Sequence, residues 1–518
     1  MSRKELTFLR LIFILEGRTL AIISVTNLTF AYDGSYDNIF EDVSFQMDTD
    51  WKLGFTGRNG RGKTTFLNLL LGKYEYIGKI TANVEFEYFP YDVPDKTTTT
   101  KDAVDCICPS YQEWELIREL SLLEISEDVL YRPFNTLSNG EQTKILLVAL
   151  FLNVNNFLLI DEPTNHLDLR GRKTVSDYLN NKKGFILVSH DRAFLDGCVD
   201  HILSINRANI EIQRGNFTSW MTNKERRDNY ELAENEKQKK VIRRLQTAAR
   251  QSSQWAEKVE STKKGKGVAA LRKKGHAGMD TMAYNAEKSR RMQQRRKNLE
   301  RRQESAIEEK SLLLKNLERS ESLKITQLPY HASNLVSLND ISIFYGDKAI
   351  CRNINLSIER GDRVALCGRN GSGKSSIIKL ICSEKIAYTG DFSKGSQLRI
   401  SYVSQDTSFL KGNLSDYAVE NGIDESLFKA ILRKLDFSRV QFEKDMIAFS
   451  GGQKKKTLIA KSLCENSHLL VWDEPLNFVD VLSRMQVEDL LLDYKPTILF
   501  VEHDSIFCDK IATKKLVL

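Results

Sequence analysis

The sequence has no hydrophobic run long enough to cross a membrane. Its apolar stretches, such as Phe157–Ile160, are far shorter than the roughly 20 residues that a transmembrane helix requires. The apolar stretch Leu6–Leu15 is interrupted by Arg10, and no signal-peptide cleavage site follows it. We therefore expect a protein without a membrane segment, and we interpret residues 1–21 as a short extension or as the product of a start codon placed too far upstream.

Cysteine is scarce and scattered, with eight residues in a chain of 518. Cys106 and Cys108 form the only close pair, so we expect neither a disulfide framework nor a zinc site. This cysteine usage predicts a cytoplasmic location.

Charge is distributed unevenly, although the net charge of the whole chain is only +7. The segment from Lys237 to Arg302 contains 21 basic and 5 acidic residues, whereas the chain outside residues 221–320 is mildly acidic. A basic insert in an acidic protein favours a polyanionic partner. The alternative that charge alone leaves open is a solvated pair of charged helices.

An internal repeat sets the domain organisation. The sequence GRNGRGKTT at Gly57–Thr65 returns as GRNGSGKSS at Gly368–Ser376, and LLIDEP around Asp161 returns as LVWDEP around Asp473. Two further pairs, LSNGEQ with FSGGQK and VSHD with VEHD, keep the same offset to within two residues. Four motif pairs in one register predict tandem copies of a single domain.

Each copy alternates predicted strands with predicted helices, a pattern typical of an α/β fold. We predict the two copies at residues 22–221 and 333–518, joined by a basic linker at 222–332. Within this linker, helix-forming residues at about 222–260 and 281–320 flank a glycine-containing stretch. A thin apolar seam on both stretches predicts an antiparallel α-helical hairpin.

Two glycine-rich loops match the phosphate-binding pattern G-x-x-x-x-G-K-[ST], and each follows an apolar strand. Glycines let backbone N–H groups face the phosphates, and the N-terminus of the following helix favours the same anion. We expect the lysines to reach the β- and γ-phosphates of ATP and the following hydroxyls to hold Mg²⁺. The predicted ATP-binding residues of these loops are Gly57, Asn59, Gly60, Gly62, Lys63, Thr64 and Thr65 in the first copy, and Gly368, Asn370, Gly371, Gly373, Lys374, Ser375 and Ser376 in the second.

An Asp-Glu pair ends an apolar strand in each copy, and a histidine ends another strand about 30 residues later. The aspartate is placed to bind Mg²⁺, and the glutamate to orient or deprotonate the attacking water. The histidine can hydrogen-bond the γ-phosphate. The predicted Mg²⁺ ligands are Thr64, Asp161, Ser375 and Asp473, and the predicted catalytic residues are Glu162, Glu474, His190 and His503.

This order of phosphate loop, SGGQ-like segment, Asp-Glu pair and histidine resembles the ATP-binding-cassette (ABC) ATPases. Two such cassettes joined by a long basic helical insert resemble the ABC-F family of ribosome-associated factors. The segments LAENEK (Leu232–Lys237) and WDEPLNFVD (Trp472–Asp480), with the short connection from Tyr91 to Leu137, are similar to antibiotic-resistance (ribosomal protection) members of the Lsa type. The implied fold is α/β, with two tandem ABC-type P-loop ATPase domains joined by a long antiparallel α-helical hairpin.

The resemblance implies that the cassettes of one monomer pair head to tail, so that the SGGQ-like segment of each completes the ATP site of the other. It also implies that a tyrosine in the first strand of each cassette stacks on adenine, that Gln405 joins the Mg²⁺ ligands, and that Asp168 and Asp480 lie in loops touching the opposite site. The residues implied for ATP binding are Tyr32, Tyr345, Gln405, Ser138, Gly140, Glu141, Ser450, Gly451, Gly452 and Gln453.

Two positions depart from the family pattern. Tyr91 occupies the position that corresponds to Gln405 and has no amide to coordinate Mg²⁺. Asn139 replaces a glycine, which hinders close backbone approach unless the asparagine adopts a left-handed conformation. Because the departures fall in different composite sites and both glutamates are present, we expect two hydrolysis-competent sites of unequal rate.

The resemblance further implies that the linker enters the E site of the bacterial 70S ribosome, contacting 23S rRNA of the 50S subunit and P-site tRNA, towards the peptidyl-transferase centre. There it would relieve inhibition by lincosamides, streptogramin A and pleuromutilins. The many lysines and arginines of the linker would neutralise RNA phosphates with little base specificity. The predicted RNA-binding residues are Lys263, Lys264, Lys266, Arg272, Lys273, Lys274, Arg290, Arg291, Arg295 and Arg296.

Three alternatives stay open at this point. A housekeeping ABC-F translation factor would act on stalled ribosomes without conferring resistance. The ATPase subunit of a drug-efflux transporter would require a separate membrane partner. A DNA-repair ATPase is disfavoured because the predicted hairpin is too short for a cohesin-like arm and no zinc module interrupts the cassettes.

Overall fold

The chain divides into two compact units, of which the first comprises residues 1–220 and 320–518 and the second comprises residues 221–319. The predicted extension at 1–21 lies outside the described residues. A computed structural model describes residues 22–32, 38–153, 156–165, 167–205, 210–264, 327–346 and 348–518, with short helical pieces between 287 and 309.

The first half of the larger unit is an α/β cassette. Its strands are β1 (Ile22–Phe30), β2 (Phe40–Asp48), β3 (Lys52–Thr56), β4 (Ile77–Thr81), β5 (Glu85–Phe89), β6 (Asn156–Asp161), β7 (Phe185–Val188), β8 (His201–Ile205) and β9 (Ile210–Arg214). Its helices are α1 (Lys63–Leu70), α2 (Thr100–Ile107), α3 (Glu113–Leu122), α4 (Asn139–Leu152), α5 (Leu169–Asn180) and α6 (Arg192–Cys198), followed by α7 (Phe217–Lys264), which continues into the second unit.

The second half repeats this plan. Its strands are β10 (Asn334–Tyr345), β11 (Lys348–Glu359), β12 (Arg363–Cys367), β13 (Ala387–Lys394), β14 (Ile400–Val403), β15 (Leu469–Asp473), β16 (Ile498–Val501) and β17 (Lys514–Val517). Its helices are α8 (Lys374–Ile381), α9 (Leu414–Glu420), α10 (Glu425–Lys434), α11 (Arg439–Phe442), α12 (Gly451–Cys464), α13 (Val481–Tyr494) and α14 (Ser505–Ile511).

Each half contains a mostly parallel central sheet and a three-stranded antiparallel sheet. The central sheets have the strand orders β5-β6-β7-β3-β8-β9 and β14-β15-β16-β12-β17, and β9 is the antiparallel strand. The small sheets have the orders β2-β1-β4 and β11-β10-β13. The predicted α/β class and the two ATPase domains are confirmed.

The central strands form the core because their residues are apolar on both faces. Phe157–Ile160 of β6 and Leu469–Trp472 of β15 are almost completely buried. A parallel sheet covered on both sides favours such continuous hydrophobic runs. In parallel strands the carboxyl ends share one edge, so the loops after β3, β6 and β7 meet there, as do those after β12, β15 and β16.

The second unit begins within α7, which is 48 residues long and extends over about 72 Å. The linker boundary predicted between 221 and 222 therefore falls inside one continuous helix. Among the described residues of the chain, no helix has both the length and the apolar character of a membrane span. The side chains predicted at the linker tip, and the pairing of the two arms, lie outside the described residues.

Candidate functional site

The first phosphate loop connects β3 to α1, and glycines supply its unusual backbone. Gly60 and Gly62 have φ values of 79° and 93°, which disfavour other residues. A Cβ atom at Gly62 would lie 2.5 Å from Ile39 Cγ2. The ammonium of Lys63 donates to the carbonyl of Gly57 over 2.6 Å, so it lies inside the loop where a phosphate would be held. Burial lowers the pKa of Lys63.

The second phosphate loop, between β12 and α8, has the same geometry. Gly371 and Gly373 have φ values of 80° and 99°. Lys374 donates to the carbonyls of Gly368 and Arg369, each over 2.9 Å. Both loops therefore present a buried lysine and the N-terminus of a helix to the same point, as an anionic ligand requires.

The residues predicted to hold Mg²⁺ lie together in both sites. Thr64 Oγ1 donates to Asp161 Oδ2 over 3.1 Å, and Ser375 bonds to Asp473. Burial raises the pKa of both aspartates. Asp473 Oδ1 is buried and has no hydrogen-bond partner among the described residues. Hydroxyl and carboxylate oxygens, one of them unpaired, fit the ligand preference of Mg²⁺.

Each predicted catalytic glutamate follows its aspartate in a left-handed backbone conformation and contacts the predicted histidine. Glu162 has a φ of 51° and Glu474 a φ of 48°. His190 Nε2 lies 3.4 Å from Glu162 Oε1, and His503 Nε2 lies 3.2 Å from Glu474 Oε1. His503 can therefore orient the Glu474 carboxylate through a hydrogen bond, whereas Glu162 Oε1 is buried and has no hydrogen-bond partner among the described residues.

The two glutamates differ in their electrostatic environment. Burial, reinforced by the neighbouring Asp161 carboxylate, raises the pKa of Glu162 to about 8. Burial also acts to raise the pKa of Glu474, but the hydrogen bond from His503 and the charges of His503 and Lys455 leave that pKa below its usual value. The two catalytic glutamates therefore differ in pKa, with Glu162 above and Glu474 below the usual value.

The SGGQ-like segments begin the helices α4 and α12. Ser138 and Ser450 cap these helices by accepting from the backbone N–H of Glu141 and Gln453. The side-chain oxygens of Glu141 and Gln453 in turn accept hydrogen bonds from the backbone N–H groups of Ser138 and Ser450. Glu141 and Gln453 therefore stabilise the helix N-termini, and Ser138, Ser450 and Gly451 are exposed, whereas Gly452 is buried.

Each segment lies beside the phosphate loop of the other cassette. Ser450, Gly451 and Gly452 line a cavity of about 410 Å³ with the first phosphate loop, Asp161, Glu162 and His190. Ser138, Asn139 and Gly140 line a cavity of about 1590 Å³ with the second phosphate loop, Glu474 and His503. The structure thus brings residues from both cassettes to each site.

The close approach in the first site occurs at Gly452. A Cβ atom there would lie 2.3 Å from the carbonyl oxygen of Phe478 and 2.6 Å from Asn59 Nδ2, whereas a Cβ atom at Gly451 would make ordinary contact at 3.4 Å. Asn59 Nδ2 donates to the Phe478 carbonyl over 2.7 Å. Asn139, which corresponds to Gly451, starts α4 without a left-handed conformation. In the first site, the position that requires glycine is therefore Gly452 and not Gly451.

Gln405 and Tyr91 occupy equivalent positions. Tyr88 pairs with Leu159 in the first sheet and Tyr402 pairs with Val471 in the second, which aligns the residues three positions further on. The amide nitrogen of Gln405 donates to Glu474 Oε2 over 2.9 Å. Tyr91 is half-buried. In the first site Tyr88, which sequence reasoning missed, donates to Asp161 Oδ2 over 3.1 Å instead.

The predicted adenine-stacking tyrosines are both partly exposed at the rim of a cavity. Tyr32 bonds through its hydroxyl to Thr65 Oγ1 over 2.8 Å and packs edge-on against Tyr74. Tyr345 lines the second cavity.

The two predicted loop aspartates, Asp168 and Asp480, cap α5 and α13. Asp168 lines the second cavity. Asp480 is completely buried and accepts from Lys456 over 2.7 Å.

Buried ion pairs, also missed at the level of sequence, connect the two cassettes near the histidines. Both guanidinium Nη atoms of Arg192 bond to the carboxylate of Glu488, and the Nη1–Oε2 distance is 3.2 Å. Arg172 Nη1 donates to the carbonyl of His503 over 3.3 Å. Isolated charges give no sequence signal of such pairing, because their partners are almost 300 residues or more away.

Comparison with known proteins agrees with this geometry. The family model for "ABC transporter" matches residues 40–165 and 351–477. Ribosome protection protein VmlR of Bacillus subtilis is 27% identical over 511 residues, covering 96% of this chain and 86% of that protein. Energy-dependent translational throttle protein EttA of Haemophilus influenzae is 24% identical over 530 residues, covering 92% and 88%.

Solved structures share the fold. The archaeal ribosome recycling factor aABCE1, in complex with ribosomal stalk protein aP1, superposes with a TM-score of 0.61 at 18% identity, covering 95% of this chain and 87% of that chain. RNase-L Inhibitor gives a TM-score of 0.60 at 17% identity, with the same coverage. The matched segments contain the phosphate loops and the Asp-Glu pairs, so the domains bind and hydrolyse ATP. Both halves of the chain are therefore ABC ATPase domains, and the chain as a whole is similar to ABC-F proteins.

Proposed function

We propose that this ATPase binds the bacterial ribosome and uses ATP as a conformational switch. Two ATP molecules close the cassettes, the closed form binds the 50S subunit, and hydrolysis releases it. The observation that carries the proposal is that residues of both cassettes line each ATP cavity, so that a nucleotide in either cavity contacts both halves. Similarity to a ribosome protection protein supports the choice of ribosome as partner.

The residues of each site would have different roles in ATP binding and hydrolysis. Lys63 and Lys374 bind the phosphates, exchanging their bonds to loop carbonyls for bonds to phosphate oxygens. Glu162 and Glu474 orient the attacking water, and the hydrogen bond between His503 and Glu474 holds the second glutamate in place. Mg²⁺, held by the threonine or serine and the aspartate of each site and by Gln405 in the second, would neutralise phosphate charge.

Opposite the phosphate loops, the helix N-termini of α4 and α12 donate to the γ-phosphate. The hydroxyls of Ser138 and Ser450 contribute in the same way. Since ADP lacks this phosphate, ATP can bridge the two cassettes in this way and ADP cannot.

The linker would reach into the ribosomal E site, contact 23S rRNA and P-site tRNA, and end near the peptidyl-transferase centre. Most lysines and arginines whose side chains are described on the linker are exposed, which suits contact with phosphates. Exposed cationic residues include Lys237, Lys239, Lys240, Arg243, Arg244, Arg290, Arg291 and Arg295.

At the peptidyl-transferase centre the linker would relieve inhibition by lincosamides, streptogramin A and pleuromutilins, as an Lsa-like protein of the cytoplasm acting as a monomer. The similarity to VmlR, named as a ribosome protection protein, favours this role. A second candidate is a housekeeping factor for stalled ribosomes, which the similarity to EttA, named as a translational throttle protein, supports at slightly lower identity.

Growth of a drug-sensitive bacterium that expresses the chain, with one drug of each class, tests the proposal. We expect tolerance without any fall in intracellular drug accumulation. Lower accumulation would point to efflux, and unchanged tolerance with ATP-dependent ribosome binding would point to the housekeeping role. Absence of ATP-dependent sedimentation with 50S subunits would refute ribosome binding altogether.

A matched pair of variants tests the linker. The linker variant replaces Lys263, Lys264, Lys266 and Arg272 with alanine, and the cassette variant replaces the exposed residues Lys79, Lys183, Lys385 and Lys411 with alanine. Both variants lose four positive charges. We expect the linker variant alone to lose drug tolerance while binding ATP normally, because the charge must act at the RNA contact.

A further inference from the structure

Two acidic residues occupy equivalent and costly positions beside the ATP cavities. Glu124 follows α3 and Asp436 follows α10 at the same offset from the helix end, with φ values of 55° and 69°. Their backbone N–H groups bond to Ser121 over 3.1 Å and to Arg433 over 3.0 Å. Glycine is the preferred residue in this conformation, whereas both positions here have a carboxylate.

In the first site, Asp436 binds the phosphate loop of the opposite cassette. Its Oδ1 lies 3.5 Å from Arg58 Nη1, and its Oδ2 lies 3.7 Å from Arg61 Nη2. The Arg58 side chain is only 4% exposed. The Arg58–Asp436 pair is therefore largely shielded from solvent, and it adjoins the loop residues Asn59 and Gly60 that line the smaller cavity.

In the second site, the equivalent carboxylate has a different partner. Glu124 Oε2 lies 2.7 Å from Arg170 Nη2 of its own cassette. Arg369, which corresponds to Arg58, is exposed and lines the same cavity as Glu124 and Arg170. Among the described residues Arg369 has no ion-pair partner.

The internal repeat explains why the sites differ. The position of Arg170 is taken by Leu482 in the second cassette, so Asp436 has no competing arginine there. The position of Arg61 is taken by Ser372, so the second phosphate loop offers one arginine instead of two. In the second site, Glu124 thus has one arginine across the interface, Arg369, instead of two. Arg170 of its own cassette competes for the same carboxylate.

We infer that Glu124 and Arg369 are positioning residues for ATP at the second site, and that closure of this site transfers Glu124 from Arg170 to Arg369. The Arg170 and Glu124 side chains are 71% and 51% exposed, so the existing pair costs little to break. The new pair would reproduce the contact between Asp436 and Arg58 and bring the second phosphate loop towards α4. This inference rests on the proposed ATP-driven closure.

The test measures MgATP and MgADP binding by titration calorimetry, with every variant made in the Glu162→Gln/Glu474→Gln background to prevent turnover. We expect Glu124→Gln and Arg369→Gln each to weaken ATP binding at one of the two sites by about two- to five-fold, and the double variant to cost no more than either. Arg170→Leu, which copies Leu482, should instead tighten it by about two-fold. ADP affinity should stay unchanged in all variants.

Lys173→Leu is the matched control, since it removes one exposed positive charge from the same helix. It should leave both ATP affinities unchanged. The exchanged pair Glu124→Arg/Arg369→Glu should restore ATP affinity. The inference fails if the Glu124 and Arg369 effects simply add, if Arg170→Leu weakens binding, or if ADP responds as ATP does. If the background protein does not bind ATP at all, the proposed function fails instead.

Discussion

The buried ion pair between Arg192 and Glu488 should stabilise the association of the two cassettes. Glu488 is completely buried, and besides both Arg192 nitrogens it accepts from Lys510 over 3.1 Å. The second partner of Arg192, Asp504, lies 3.6 Å from its Nη2 atom. We predict that Glu488→Gln destabilises the protein by leaving the Arg192 charge undercompensated.

The magnitude follows from burial. Removing one partner of a buried ion pair typically costs about 3–5 kcal/mol. The lower end applies, because Asp504 still faces Arg192 and the glutamine oxygen still accepts one hydrogen bond. A loss of about 3 kcal/mol lowers the midpoint of thermal unfolding by about 6–12 °C for a unit of 150–250 residues.

Differential scanning calorimetry measures this midpoint for Glu488→Gln and for Asp489→Asn. Asp489 is the next residue on α13 and is exposed, so its neutralisation removes the same charge from the same helix without uncovering a buried partner. We expect the control to change stability by at most about 0.5 kcal/mol. Equal midpoints for the two variants would refute the argument that burial makes this pair matter.

Four further outcomes are expected. Glu162→Gln/Glu474→Gln should lower ATP turnover at least about 100-fold and keep the protein on sedimenting ribosomes with ATP; release at the normal rate would contradict the assigned roles. The linker variant should lose tolerance where the cassette variant keeps it, measured as the minimum inhibitory concentration; equal tolerance would count against the tip. Tyr91→Gln should raise ATP turnover, since an amide then faces the first site; an unchanged rate would remove the reason to consider that site impaired. Gly452→Ala should weaken ATP binding more than Gly451→Ala, because only the former places a Cβ atom 2.3 Å from a backbone oxygen; equal losses would contradict the close approach.

Much of each ATP site could be predicted because its residues are held by local structure. A phosphate loop requires a strand, glycines and a helix within about ten residues, so Lys63 and Lys374 were identifiable from spacing alone. The Asp-Glu pairs and histidines follow apolar strands that must be buried, and parallel strands bring their ends to one edge. These inferences need no knowledge of distant contacts.

Other features of the sites were not accessible in this way. The need for glycine at Gly452 was not predicted, because it depends on the carbonyl of Phe478 from the same cassette and on Asn59 from the other cassette. The effect of Asn139 on the second site stays a prediction. Tyr88 was missed because a tyrosine in a strand carries no signal of the carboxylate it contacts.

The sequence by itself determined the tandem cassettes, the motifs that form both ATP sites and the basic character of the linker, because motifs, periodicity and charge are local properties of the chain. Only the tertiary structure decided which charges pair and how unequal the sites are. Arg58 forms an ion pair with Asp436, whereas Arg369 forms none with Glu124. The difference arises because Arg170 binds Glu124, while the equivalent residue in the second cassette is Leu482. The Coulomb energy of an ion pair depends on the distance between its charges and on their burial, and neither can be read from the amino-acid sequence.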